Sequence, residues 1–187
     1  MNEDKIYVLL LLDLSDAFDI DHQISLSRLE TVFGIRSTAL QWFRSYLLDR
    51  NQSIVVNNSA SSPSPFMFGV PQGSLGPVLF VLYTNPLSDI IASHSVNQQL
   101  FADDTQLQKS TPPNDVQSLT SDLLLCTDDL KSWMCSSQLI LNEDKTEAIL
   151  FSTLSLPSDC LPSSVTVGTH QTAFSDKVRN LGFILRL

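Results

Sequence analysis

The chain is predicted to be an α+β protein, an antiparallel sheet backed by helices, and three stretches carry that expectation. Ile6-Tyr7-Val8-Leu9-Leu10-Leu11-Leu12 is a continuous apolar run, too short to cross a membrane and without alternation, as in a strand buried on both faces. Leu100 to Leu107 sets Asp103 and Asp104 between two short apolar runs, the pattern of strand, tight turn, strand with the acids at the tip. Val116, Leu119, Leu123, Cys126, Leu130 and Trp133 recur at spacings of 3, 4, 3, 4 and 3, an amphipathic helix suited to lie against a sheet.

The remaining elements follow in order. Ile24, Leu26, Leu29, Val32 and Phe33 keep a rough helical period that stops at Gly34, with the acids at 16, 19 and 21 suiting a helix start or turns. A second helix is expected from Ser37 or Thr38 to Leu48, burying Leu40, Phe43 and Leu47, with Trp42, Arg44 and Arg50 as packing and solvated cover. Gln52 to Asn57 and Pro65 to Phe68 read as a hairpin. The Gly-rich loop 69–77 leads into a helix over 78–91 that is apolar nearly all round at its start. Such a loop offers bare backbone to an anion or a base pair, although Gly and Pro are also ordinary loop punctuation. Glu147 to Phe151 is a strand, 152–164 a Ser- and Pro-rich loop marking a boundary, and 165–185 a series of short strands.

Composition bounds what the chain can do. Its 187 residues, 43% apolar, suffice for one domain with a small appendage. Eleven basic against 20 acidic residues give a formal charge of −9, the wrong sign for a stand-alone nucleic-acid binder. Cys126, Cys135 and Cys160 show neither disulfide-framework nor zinc spacing, and the first two lie about 13 Å apart along one predicted helix, too far to pair. The N-terminus lacks the positive flank of a signal peptide and no stretch reaches membrane-spanning length, so an intracellular chain without membrane contact is expected.

Candidate chemistry sits at strand ends. The apolar run 6–12 stops at Asp13, which faces the Asp103 turn if the two segments are sheet neighbours. Carboxylates about 4 Å apart repel by about 4 kcal/mol at an effective dielectric of 20, so a hard divalent cation is the natural partner. Two such ions about 3.5–4 Å apart serve in-line phosphoryl transfer. Side chains alternate along a strand, which ranks Asp13 and Asp103 above Asp104 as ligands. On the octamer alone, a solvated turn also explains the acid pair.

Five motifs occur in one order. Leu11-Leu-Asp-Leu-Ser-Asp-Ala-Phe18, Gly69-Val-Pro-Gln-Gly-Ser74, Phe101-Ala-Asp-Asp104, Leu141-Asn-Glu-Asp-Lys145 and Asn180-Leu-Gly182 resemble motifs A to E of the reverse transcriptases of non-LTR retrotransposons of the long interspersed element type. The resemblance implies a polymerase palm-like sheet over 1–151 (motifs A to D), with 152–187 leading to the thumb (motif E-like). It implies two Mg ions, Mn being an alternative, held by Asp13, Asp103, Asp104 and the Leu14 carbonyl. Those ions would activate a primer 3′-hydroxyl and clamp pyrophosphate. Phe18 would be the steric gate against a 2′-hydroxyl, and Gln72 and Gly73 would approach the incoming nucleotide and template. Lys145 would protonate or neutralise pyrophosphate, and Leu181 and Gly182 would belong to the primer grip. The implied partners are an RNA template, a DNA primer and dNTP. Read without the family, Phe18 is a core residue, Lys145 a solvated charge and Leu181-Gly182 a turn.

Departures from the family pattern qualify what the resemblance implies. Ala17-Phe-Asp-Ile-Asp-His22 and Gln72-Gly-Ser-Leu-Gly-Pro77 are each one residue shorter than usual, and one residue rotates a following helix by about 100° unless a loop absorbs it. Phe101 stands where Tyr is usual. The sequence begins just before motif A, so fingers and most of the thumb are expected to be missing segments and the chain inactive alone. The alternative expectations are a non-catalytic acidic interaction domain and, behind it, an unrelated two-metal phosphohydrolase built on Asp13 and Asp103.

Overall fold

In the computed structural model, which describes residues 5–15, 18–70, 73, 75–152 and 161–186, the run 6–12 becomes β1 (Ile6–Ser15), an inner strand of a four-stranded antiparallel sheet. The chain divides into two compact units, one of residues 1–15, 86–136 and 140–187 and the other of residues 16–85 and 137–139.

In the first unit, α4 (Pro86–Ser93) precedes β6 (Asn97–Phe101) and β7 (Asp104–Thr111), α5 (Val116–Ser136) follows, and then comes β8 (Ile140–Ser152). The sheet order is β6-β7-β1-β8. β1 is apolar on both sides because both sides are covered. Ile6, Val8, Leu10 and Leu12 form one face, at most 2% exposed. Leu107 and Lys109 of β7 stand opposite Leu10 and Val8 on that face, and Lys109 reaches Asp122 of α5 at 2.7 Å. α5 therefore covers it, burying Leu119, Leu123, Cys126, Leu130 and Met134. On the other face Leu9 packs with Ile149 and Val178, flanked by Leu11, Phe151 and Leu185. Two hairpins complete the unit, β9 (Ser164–Val167) with β10 (His170–Ala173), and β11 (Lys177–Asn180) with β12 (Phe183–Arg186).

The predicted helix over α5 is observed and runs three residues further, to Ser136, with Met134 rather than half-buried Trp133 closing its buried stripe. Cys126 and Cys135 on it are free thiols, and burial, aided by Asp129, pushes Cys126 up to about 11. Cys160 and most of the Ser- and Pro-rich loop lie outside the described residues. No helix among the described residues is long and apolar enough to cross a membrane.

The second unit holds α1 (His22–Thr31), α2 (Ser37–Leu47), four two-residue strands and α3 (Gly76–Thr84). Asp21 caps α1, its Oδ1 accepting from the Ile24 N–H at 2.8 Å, so one of the early acids has a structural purpose. The expected single helix over 78–91 is two helices. Pro86 has no N–H to continue the ladder, and it opens α4 at the position where proline is best tolerated. The expected hairpin is two short nested ladders, β2 (Asn51–Gln52) with β5 (Ser64–Pro65) and β3 (Val55–Val56) with β4 (Ser59–Ala60), all exposed. Of the α2 stripe only Leu47 is fully buried, while Leu40 and Phe43 are half-buried. Trp42 instead stacks on Tyr46, ring centroids 5.7 Å apart, and the Arg50 guanidinium lies over the same Tyr46 ring.

Candidate active site

The acids meet because β1 and β7 are paired. Leu12 stands opposite Thr105, so the next residue along, Asp13, comes up beside Asp104 where the pairing of β1 with β7 ends. β6 and β7 are joined by a two-residue turn, Ala102-Asp103, closed by Phe101 opposite Asp104, with Ala102 at φ 53°. This is the expected strand, tight turn and strand. The turn, however, spends Asp103 at the tip and begins β7 with Asp104. Alternation along β7 then puts Asp104, Gln106 and Gln108 on the face of Leu11 and Leu9, which is also the face of Asp13.

Asp104, ranked below Asp103 on sequence, thus shares a cleft of about 410 Å³ with Asp13. The same cleft is lined by Leu11, Asp144, Lys145, Glu147 and Arg179. Burial, then the charge of Asp103 and then that of Asp13 raise the pKa of Asp104 above the ordinary carboxylate value. Burial and two nearby carboxylates thus act in the same direction on Asp104, each disfavouring its charged form. Leu14, the next residue in β1, pairs with Leu141 and buries its side chain.

Lys145 arrives through an irregularity in β8. The register jumps from Leu11 opposite Glu147 to Asp13 opposite Asn142, so residues 143–146 bulge out across a single residue of β1. Asn142 closes the bulge locally, its Oδ1 accepting from the Lys145 N–H at 3.3 Å and its carbonyl from Thr146 Oγ1 at 3.0 Å. From outside, Glu143 is held by Lys131 and by Thr169. The result brings Lys145 Nζ to 3.7 Å from Asp13 Oδ2, with the lysine side chain 72% exposed. Such a pair is weak in itself and leaves Nζ available to a further anion.

The motif E residues Leu181 and Gly182 form the turn of β11–β12, with Asn180 opposite Phe183 and φ of 47° and 83°. Both central residues in the left-handed region make a type I′ turn, which favours Asn-Gly, so Leu181 stands where leucine is strained. Leu181→Asn is expected to raise stability by about 0.5–1 kcal/mol, read as a higher urea midpoint at unchanged m-value. An unchanged midpoint would mean that the turn holds no strain.

The other predicted site residues belong to the second unit. Phe18 is half-buried, its ring 5.4 Å from that of Phe80, and its carbonyl accepts from the Val70 N–H at 3.1 Å. His22 Nε2 lies 2.7 Å from the Gly69 carbonyl, so the segments after motif A and at the start of motif B are fastened together. Gly69 has φ 86°, and a Cβ there would stand 3.1 Å from Asp19 Oδ1. Gly73 has φ 108° and nothing within 4 Å of an added Cβ, so its backbone rather than crowding accounts for glycine. Gln72 lies outside the described residues. This unit also has a cleft of about 490 Å³ lined in part by Asp21, His22 and Phe66, but the Asp21 carboxylate there is engaged in capping α1.

Sequence reasoning missed Glu147, Arg179 and Asp144 in the acid cleft. Glu147 had a usable signal, since it alternates in phase with Ile149 and Phe151 on the cleft face. Arg179 had none, because its place depends on a hairpin fastened to β8, where its N–H donates to Glu147 Oε2 at 3.3 Å.

The donor set is carboxylate oxygen, the chemistry hard divalent cations prefer, with no thiolate or imidazole among the described residues that line the cleft. Among the described residues no group of three or more His, Cys, Asp or Glu side chains is assembled as a cage. Mg, which keeps several waters and binds through one or two carboxylates, fits that set.

A sheet that presents paired acids at adjacent strand ends, with helices behind it, is the palm-like α+β arrangement of polymerases. The chain shares its fold with telomerase of Candida tropicalis truncated from its C-terminal domain (TM-score 0.63, 10% identity, 97% of this chain and 34% of that chain). It shares it also with telomerase of Candida albicans in complex with a TWJ fragment of telomeric RNA (TM-score 0.54, 14% identity, 96% of this chain and 31% of that chain). A curated relative, a probable RNA-directed DNA polymerase from transposon BS of Drosophila melanogaster, is 33% identical over 117 residues, 58% of this chain and 13% of that protein. The chain belongs to the reverse transcriptase (RNA-dependent DNA polymerase) family, whose model matches residues 1–185. It spans about a third of the telomerase chains and a far smaller part of the transposon protein.

Proposed function

We propose that this chain is the palm region of a retrotransposon reverse transcriptase and that the acid cleft is its nucleotidyl-transfer centre, joining dNTP to a DNA primer 3′-hydroxyl on an RNA template. The observation that carries the reading is the convergence of Asp13 and Asp104 in one cleft, where burial and then the charges of Asp103 and Asp13 raise the pKa of Asp104. Asp13, Asp104 and the Leu14 carbonyl are the donors for divalent cations, with Asp103 beside them. The chemistry that Mg supplies at such a site is activation of the 3′-hydroxyl and neutralisation of the departing pyrophosphate.

The chain's own residues take the remaining roles. Lys145, on its bulge beside Asp13, faces the leaving pyrophosphate as cation and proton donor. By resemblance to the family's motifs, Phe18 is assigned selection against a 2′-hydroxyl, Gln72 and Gly73 nucleotide and template recognition, and Leu181-Gly182 the primer grip. Residues 1–151 carry the catalytic motifs and 152–187 lead toward the thumb. A formal charge of −9 opposes the phosphate backbone, so activity is assigned to this chain together with basic fingers and thumb segments, and the chain alone is expected to be inactive.

Calorimetric titration of the chain with MgCl₂ and MnCl₂ tests the reading. Binding at millimolar affinity or tighter that disappears in Asp13→Asn is the expected result. A folded chain that binds neither ion would overturn it in favour of a non-catalytic acidic interaction domain.

A further inference from the structure

The hairpin that carries Arg179 is fastened to the acid-bearing strand by a pair of side-chain amides. Gln106 Nε2 donates to Asn180 Oδ1 at 2.8 Å and Asn180 Nδ2 donates back to Gln106 Oε1 at 3.2 Å. Gln106 is 3% exposed, so this reciprocal pair satisfies polar groups that would otherwise be buried without partners. It lies two residues from Asp104 on one side and one residue from Arg179 on the other. A second tie, from the Arg179 N–H to Glu147 Oε2, fixes the same segment to β8.

Both ties use the backbone or the neighbouring residue and neither uses the Arg179 guanidinium. Arg179 lines the cleft with Asp13, Asp104, Asp144, Glu147 and Lys145, yet among the described residues no carboxylate lies within salt-bridge distance of its guanidinium. A cation on an acid-rich cleft, held by its main chain and unpaired at its head, is arranged for an external anion.

We propose that Gln106 and Asn180 are positioning residues which hold Arg179 over the cleft as a phosphate-binding group. This rests on the nucleic-acid reading of the cleft and adds to it a named cation and the device that places it. The phosphate belongs to a primer–template backbone or to the triphosphate of a nucleotide, a shared chemistry that separate arms of one experiment resolve. Glu147 is the accessory to the amide pair, accepting from the Arg179 main chain so that the side chain stays free.

The experiment measures affinity of the whole chain, in Mg, for an RNA template annealed to a recessed DNA primer, from about 20 mM salt upward, with dCTP as a second arm. Arg179→Ala is expected to weaken duplex binding about tenfold and to reduce the magnitude of the slope of log K against log salt by about 0.9, one phosphate contact. Gln106→Leu is expected to reduce that slope by the same amount although Arg179 is still present, and to add nothing to Arg179→Ala. Exchanging the two amides, Gln106→Asn with Asn180→Gln, restores the total length of the pair and is expected to restore the slope. A merely structural role would lower stability without making the two losses non-additive. Loss confined to the dCTP arm assigns the phosphate to the nucleotide, and loss in the duplex arm assigns it to the strand. Duplex and dCTP binding whose salt slopes ignore both Arg179 and Gln106 would overturn this proposal and leave the function standing. A wild-type chain that binds neither ligand even at about 20 mM salt would also overturn this proposal, while the function is judged separately by the Mg and Mn titration.

Discussion

Asp13→Asn is expected to cost the chain more than about 100-fold in Mg and Mn affinity, beyond the usual upper range for removing an outer-shell partner of a metal ligand, while leaving the fold intact. Asp13 lies toward the end of an inner strand whose stability comes from the buried side chains of Ile6, Val8, Leu10 and Leu12, and its own side chain is 35% exposed. Losing that carboxylate therefore removes charge rather than packing. In the metal-free chain the carboxylate whose loss acts on stability is Asp104. Asp104 has a raised folded-state pKa, so between the ordinary carboxylate value and the raised one the native state holds more protons than the unfolded state. Stability then falls as pH rises through that window, and at neutral pH the ionised Asp104 is a cost to folding. Asp104→Asn should make the metal-free chain more stable at pH 7, by no more than about 1 kcal/mol because this carboxylate is exposed and screened. The advantage should vanish in acid, below the ordinary carboxylate range. Added Mg reverses the order, because a ligand at ten times its Kd contributes about 1.4 kcal/mol to the wild type and nothing to a chain that cannot bind it. Thermal melts of the three chains at pH 7 and in acid, with and without MgCl₂, read both effects. A wild-type melting temperature indifferent to Mg, or Asp104→Asn less stable without metal at pH 7, would show that the carboxylates do not form one electrostatic unit.

The features legible in the sequence were those set by local pattern. The unalternating run 6–12 indicated a strand covered on both faces, the 3-4 spacing from Val116 indicated α5, and the acids between short apolar runs indicated the β6–β7 turn. Proline chemistry at Pro86 was also local, and the continuous apolar content of 78–91 concealed it. What pattern could not show was which acid the turn would spend. The identity of the cleft acid depends on whether the loop takes one residue or two, since each residue moved into the turn reverses the face of those that follow. The bulge at 143–146 was hidden for a similar reason. Its residues are polar, so they read as a connector before Glu147 rather than as an interruption within β8 that delivers Lys145 to Asp13. Gln106 and Asn180 are 74 residues apart, and no propensity of either amide points to the other. The family motifs compensate where local physics is silent, since they single out Lys145 and Leu181-Gly182, whereas Asp13 is already marked by the end of the apolar run 6–12.

Leu10→Ala is expected to be the most damaging single truncation in the sheet, at about 3 kcal/mol, within the range for deleting a fully buried leucine and leaving a cavity. Leu10 is 0% exposed and stands between Leu107 of β7 and Ala148 of β8, on the face that α5 covers. Both strand neighbours are themselves 0% exposed, and Ala148 is too small to move into the space. Leu11, the next residue, points to the opposite face, where it is half-buried and lines the acid cleft opposite Gln106 and Glu147. Leu11→Ala should cost roughly 1 kcal/mol, since much of its side chain is already in contact with water and little cavity remains. Against a total stability of about 5–15 kcal/mol for a domain, the first loss is severe and the second tolerable. The functional consequences run the other way. A chain with Leu10→Ala that remains folded in mild conditions keeps the register that brings Asp13 beside Asp104, so its Mg affinity should match the wild type. Leu11→Ala alters the cleft floor itself and should change Mg affinity despite its smaller effect on the urea midpoint. Urea titrations paired with Mg titrations separate the two faces of β1, and equal losses of stability from the two substitutions would contradict the unequal burial that assigns one face to the core and the other to the site.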